Sequence, residues 1–202
     1  MKAYNPRWSV NDFIQNMAKK WFQKGFLKQE QYANIKKEYH SDYNNPNIFL
    51  KIGLFIFTIL ATSFSSGLFA LFFIQPFENN HLLGLIIGGL TMGTGFIFLL
   101  EVLIKSSKLY HSGVDNALLY MALGAFCTAI YIIFEGSTKP QWIILCCCLP
   151  FFIAATIRYA DILVAAVSYL LSLSIVILIS LDRKSTRLNS SHRNTSRMPS
   201  SA

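Results

Sequence analysis

The chain has 202 residues, 53% of them apolar and only 14% charged, with 17 phenylalanines and a mean hydropathy of +0.41. Soluble domains carry about 25% charged residues, so the composition excludes an ordinary soluble globule and points to a bilayer as solvent. The formal net charge of +8 does not indicate nucleic-acid binding: five basic residues lie in 182–202 against Asp182 alone, and residues 1–181 hold 13 basic and 9 acidic side chains without a recognisable basic module.

Residues 1–47 hold no apolar run of the kind a cleavable signal peptide needs, so insertion is expected to be driven by the first membrane helix. Within this stretch, residues 9–40 predict a soluble helical hairpin. Ser9 with Asp12 forms a capping-box pattern that would open the first helix. Phe13, Ile14, Met17, Trp21 and Phe22 follow at helical spacing, and Gly25 is placed to stop the helix after Lys24. Phe26 and Leu27 turn the chain. A second helix then sets Tyr32, Ile35 and Tyr39 on one face, with Lys28, Lys36 and Lys37 off it. Such short helices bury little area, so they are expected to dock on each other, on the membrane surface or on a partner. Asn44, Asn45, Pro46 and Asn47 break the pattern before the bilayer.

Five long apolar runs follow, at 48–74, 82–104, 114–134, 142–157 and 162–181. About 20 helical residues cross roughly 30 Å of hydrocarbon. Four runs meet that length; the fourth must borrow Pro140, Gln141 and Arg158 from its flanks, and Pro150 should kink it. The predicted fold class is therefore all-α, a polytopic membrane helix bundle with an N-terminal soluble hairpin (1–47) and a transmembrane region (48–181). Lysine and arginine alternate between the short loops, with nine in residues 1–51, none in 75–81 and Lys105 and Lys108 in the next loop. Lys139 and Arg158 follow in the last two. By the positive-inside rule this places the N-terminus in the cytoplasm and Leu181 outside. Trp142 and Tyr159 fit an aromatic belt.

Candidate functional residues are few. Gly84 and Gly88, then Gly89 and Gly93, are spaced four apart in the second run, with Gly95 close behind; small residues at this spacing let helices approach closely, within the chain or between copies. Thr58, Thr62, Ser63, Ser65 and Ser66 could line a polar path in the first run, although such hydroxyls usually bond to their own helix. Glu101 is an ionisable group inside an apolar run, a position that calls for a functional hypothesis. Its expected partner is Lys105, four residues on, with both side chains reaching the interface. Ser112 and Asp115 form a second capping-box pattern, and Arg158 and Asp161 are expected to pair at a tight turn. Glu135 is expected to be solvated, and His40, His81 and His111 to be ordinary loop histidines.

Cys127, Cys146, Cys147 and Cys148 all lie in apolar runs. Consecutive helical positions point about 100° apart, so the last three cannot converge on a metal. No catalytic residue, metal site or cofactor site is expected, and no P-loop, GxSxG, HExxH or dinucleotide fingerprint occurs. An enzyme is the least favoured reading.

After Leu181, residues 182–192 resemble one reading frame of a widely used sequencing adapter, and residues 196–202 resemble its far end in the same frame. The resemblance implies a foreign, disordered tail over 182–202, and takes the sequons at Asn189 and Asn194 and the histidine His192 with it. The natural chain would then continue past Leu181 in another sequence. The stretch 21–35 (W-F-Q-K-G-F-L-K-Q-E-Q-Y-A-N-I), with 110–120 and 158–166, resembles a family of bacterial predicted multi-pass membrane proteins, Bacteroidetes-like, in which a short cytoplasmic hairpin precedes many membrane helices. Lys28 departs from the Ser, Thr or Asp usual at that helix start. The resemblance implies a bacterial inner-membrane location and no activity.

The functional expectation is a membrane-embedded scaffold or interaction protein whose hairpin docks a protein partner, with helix–helix self-association open. The alternative is a small-solute transporter or channel component. The lipid bilayer is the expected partner, and nucleic acid is not.

Overall fold

The computed structural model describes residues 6–40, 47–77, 80–107, 112–135 and 140–195, with backbone alone at 6, 9, 73–75, 107 and 185–195. Residues 44–46, Lys108, His111, Lys139 and 196–202 lie outside it. The described residues form seven α-helices and no strand: α1 (Pro6–Gln23), α2 (Gln29–Glu38), α3 (Ile48–Ile74), α4 (His81–Ser107), α5 (Val114–Ile133), α6 (Gln141–Tyr159) and α7 (Ile162–Thr195), with a 3-10 turn at Gln75–Phe77. The last five are long and apolar enough to cross a membrane.

α1 begins three residues before the expected Ser9 cap, at Pro6. Proline suits a first helical turn because its missing N–H would have no intrahelical partner there. Asp12 therefore lies inside the helix, where its carboxylate accepts from Asn16 Nδ2 at 3.0 Å. Gly25 does stop α1. Its φ is +79°, the Gly25 N–H donates to the Phe22 carbonyl and the Phe26 N–H donates to the Trp21 carbonyl, each at 3.0 Å. These two bonds and the left-handed glycine form a Schellman motif. α2 starts without a side-chain acceptor at Lys28, but the Gln31 side chain reaches back to accept the Lys28 N–H at 3.0 Å, half of a capping box.

The two helices close on each other. Phe22 stacks on Tyr32 with ring centroids 5.0 Å apart, Ala18 is buried, and Asn11 and Gln15 donate to the His40 and Tyr39 carbonyls at 2.8 and 2.5 Å. Among the described residues, the hairpin packs on no other element.

In the membrane region α5 is central, packing on α3, α4 and α6, while α7 packs on α6. Burial follows that order: 39% of the apolar window of α5 is buried, against 6% for α3. The exposed Leu, Ile, Phe and Val of α3 and α7 are what a lipid-facing helix presents. Lipid tails are as apolar as leucine, so association must come from close packing and interhelical hydrogen bonds. α4 and α5 supply the packing. A Cβ at Gly89 would sit 3.1 Å from Ala129 Cβ, and one at Gly93 would sit 2.8 Å from the Phe126 ring. That glycine pair is spent inside the chain. Gly95 faces open space.

α6 runs through Pro150 and takes in Gln141, Arg158 and Tyr159, with Pro140 as its N-cap, as its short apolar run required. α7 does not end at Leu181. Its backbone is helical to Thr195, where disorder was expected from Asp182 onward. Once a helix is nucleated, each further residue adds one backbone hydrogen bond, and no proline or glycine interrupts residues 182–195.

Candidate functional site at the polar end of the bundle

Antiparallel alternation brings the starts of α3, α5 and α7 and the ends of α4 and α6 to one end, the end at which the chain enters the bundle at Ile48. The tightest core lies just inside it: Phe96 and Leu100 of α4, Leu118, Leu119 and Leu123 of α5, Ala155 and Tyr159 of α6 and Val164 of α7. Glu101, Asp115, Arg158 and Asp161 gather around that core.

Glu101 pairs across helices rather than along its own. Its Oε1 accepts from Arg158 Nε at 2.7 Å and from the Tyr159 hydroxyl at 2.9 Å. The expected Glu101–Lys105 pair is replaced because α6 ends beside this turn of α4. A charge-assisted interhelical bond in a partly dry site outweighs a solvated pair along one helix. The side chains of Arg158 and Glu101 are 46% and 19% exposed, so the pair is partly open to solvent.

Asp161 is consequently not the partner of Arg158, as three-residue spacing suggested. The α6–α7 connection is only Ala160 and Asp161. Ala160 takes a left-handed conformation, φ +52°, and turns the chain sharply. Asp161 then caps α7, accepting the Leu163 and Val164 N–H groups at 2.8 and 3.0 Å. Its carboxylate also accepts the Tyr120 hydroxyl from α5 at 3.1 and 3.2 Å. One buried carboxylate thus satisfies a helix N-terminus and ties α7 to α5.

The Ser112–Asp115 pattern works as a cap, with the roles placed slightly differently. Asp115 Oδ1 accepts the Ser112 and Gly113 N–H groups at 2.9 and 3.2 Å and the Ser112 hydroxyl at 3.2 Å. Gly113 is the N-cap residue, with φ +98°. A Cβ there would lie 2.3 Å from the Lys51 carbonyl oxygen of α3, so only glycine lets α3 and α5 meet. Beside it Phe55 packs edge-on against Tyr120 at 6.0 Å.

Three of the five hydroxyls of α3 bond to their own backbone. Thr58 donates to Leu54, Thr62 to Thr58 and Ser66 to Thr62, at 2.7, 2.7 and 2.8 Å. Ser66 also borders a cavity of about 340 Å³ between α3, α4 and α5, walled by Gly84, Gly88, Met92, Tyr120 and Gly124. A second, more open groove of about 510 Å³ runs between α4 and α6 past Phe126 and Phe151 to the Glu101–Arg158 pair. Both are mainly apolar.

Cys146 and Cys147 are exposed while Cys148 is buried, the divergence expected of consecutive helical positions. Among the described residues no group of His, Cys, Asp and Glu could hold a metal ion. Glu135, His40 and His81 are exposed. The tyrosines at 120 and 159 were not foreseen as part of any site. The available signal was general: a tyrosine hydroxyl in an apolar helix needs a hydrogen-bond partner, and Asp161 and Glu101 are the carboxylates within reach. Chemically, the arrangement fastens helices: Glu101, Asp115 and Asp161 each accept two or more donors.

The class defined is an all-helical protein with five helices able to span a membrane and a short helical hairpin before them. No family model, curated protein or solved structure matches the chain.

Proposed function

We propose that this protein is a membrane-embedded scaffold or interaction protein of the bacterial inner membrane, with its N-terminus in the cytoplasm. One observation carries the reading: Glu101, Asp115 and Asp161 are occupied in ties between helices and at helix starts at the end where the chain enters the bundle, and the hairpin that precedes α3 packs on nothing else among the described residues. Such a body suits holding a position better than turning over a substrate. The polar face of α2, with Lys36, Lys37 and Glu38 exposed, is the docking surface for a protein partner. Co-purification from native membrane should recover a stoichiometric partner that is lost when residues 1–44 are deleted. Recovery of none, from membranes in which the protein is abundant, rejects the reading.

A second reading, a small-solute transporter or channel component, is favoured by the cavity beside Ser66 and Tyr120. Its mainly apolar wall suits a small apolar or amphiphilic solute. Purified protein in vesicles should then pass such solutes, and Gly88→Leu should stop the flux by filling the cavity. Flux no greater than that of empty vesicles ends this reading.

A further inference from the structure

We infer that α1 lies on the membrane surface, with its outer stripe inserted at the headgroup level of an anionic leaflet. The hairpin uses one side of α1 for α2: Asn11, Gln15, Ala18 and Phe22 all face it. About a third of a turn away, Val10, Phe13, Met17 and Trp21 recur at spacings of three and four, so they form a second stripe on α1. Three of its four side chains are exposed, and Met17 is partly buried. Val10 is 56% exposed, Phe13 65% and Trp21 47%, and Phe26 in the adjoining turn is 75% exposed. A soluble helix does not leave a tryptophan and a phenylalanine on one open stripe without something to cover it.

Two observations select the occupant. The stripe is bordered by cations, with Arg7 on one side, Lys20 on the other and Lys24 just past its end, and residues 6–40 hold seven basic against three acidic side chains. Lysine is depleted at protein interfaces but favoured beside the apolar face of an interfacial helix, where it meets lipid phosphates. The second observation is position. Only seven residues separate His40 from the start of α3 at Ile48, and even fully extended they span roughly 30 Å. The leaflet around α3 is therefore always within reach, and α1 pays almost no association entropy to meet it. Trp21 suits the depth, since an indole places its ring in the interface and its N–H in the hydrated layer. The inference concerns α1 alone and stands apart from the scaffold reading, whose partner would meet α2.

The test uses the whole chain carrying Trp8→Phe and Trp142→Phe, which leaves Trp21 as the single tryptophan. It is reconstituted into vesicles of phosphatidylcholine with phosphatidylglycerol and into vesicles of phosphatidylcholine alone. With the anionic lipid, Trp21 emission should shift to the blue and be quenched by lipids brominated near the top of their chains. Aqueous iodide should quench it little. Lys20→Gln with Lys24→Gln should lose most of the bromolipid quenching, as should Phe13→Ser, with helical content unchanged by circular dichroism. A chain retaining Trp8 alone serves as control; that side chain lies off the stripe and should escape bromolipid. Trp21 quenched by iodide and untouched by bromolipid overturns the inference. So does Trp21 shielded from both quenchers, because the stripe is then covered by protein.

Discussion

At the level of single residues, two backbone positions carry strain of opposite origin. Gly113 occupies φ +98° with its missing Cβ filled by the Lys51 carbonyl, so a side chain there costs both conformation and contact. Gly113→Ala should lower stability by at least about 2 kcal/mol, since the left-handed conformation alone costs roughly 1–2 kcal/mol. Ala160 sits at φ +52° and is exposed. Ala160→Gly should raise stability by about 1 kcal/mol for the same reason. Thermal unfolding in detergent checks both, and their opposite signs separate backbone strain from general sensitivity of the loops. A third residue-level expectation concerns Glu101. A double-mutant cycle of Glu101→Gln with Arg158→Gln should show coupling of about 0.5–1 kcal/mol, kept modest because Arg158 is partly solvated. The cycle of Glu101→Gln with Lys105→Gln should show almost none. Equal coupling in the two cycles would place the carboxylate along its own helix after all.

At the level of elements, the glycines of α4 are not equivalent. Gly93 meets the Phe126 ring, and Phe126 in turn stacks on Phe151 of α6 at 5.1 Å. Gly93→Val therefore has to move a ring that links two helices and should cost roughly 1–3 kcal/mol. Gly95→Val points into open space and should leave the unfolding temperature nearly unchanged. The spacing of small residues was legible in the sequence, and so was its meaning as close helix packing. Which glycine carries the packing was not, because the rotation of α4 about its axis depends on the face that α5 presents. The hairpin divides in the same way. Gly25 was readable as a stop because left-handed φ is a local property that glycine tolerates. Ser9 was misleading because a cap pattern inside a longer helix looks the same as one at its start, and Pro6 set the boundary earlier.

At the level of the whole molecule, the five apolar runs and the five spanning helices coincide to within a few residues. Alternating crossings make a direct expectation for topology. Reporters placed at the N-terminus and near residue 108 should lie on one side of the membrane, and a reporter between α3 and α4 on the other. A reporter pair at residue 78 and residue 108 found on the same side would remove α4 as a span.

Span number, approximate span ends, the hairpin and the absence of familiar catalytic motifs were determined by the sequence alone. These are local properties: transfer of a segment into lipid depends on its own side chains, and helix stops depend on adjacent backbone. The partners of Glu101, Arg158, Asp161 and Tyr120, the internal use of Gly93 and the cavity beside Ser66 were decided only by tertiary structure. Pairing in the sequence is judged by spacing along one helix. In the folded bundle, a neighbouring helix end brings a better donor to each carboxylate, and the low dielectric there rewards the closest charge-assisted bond over the nearest residue in sequence.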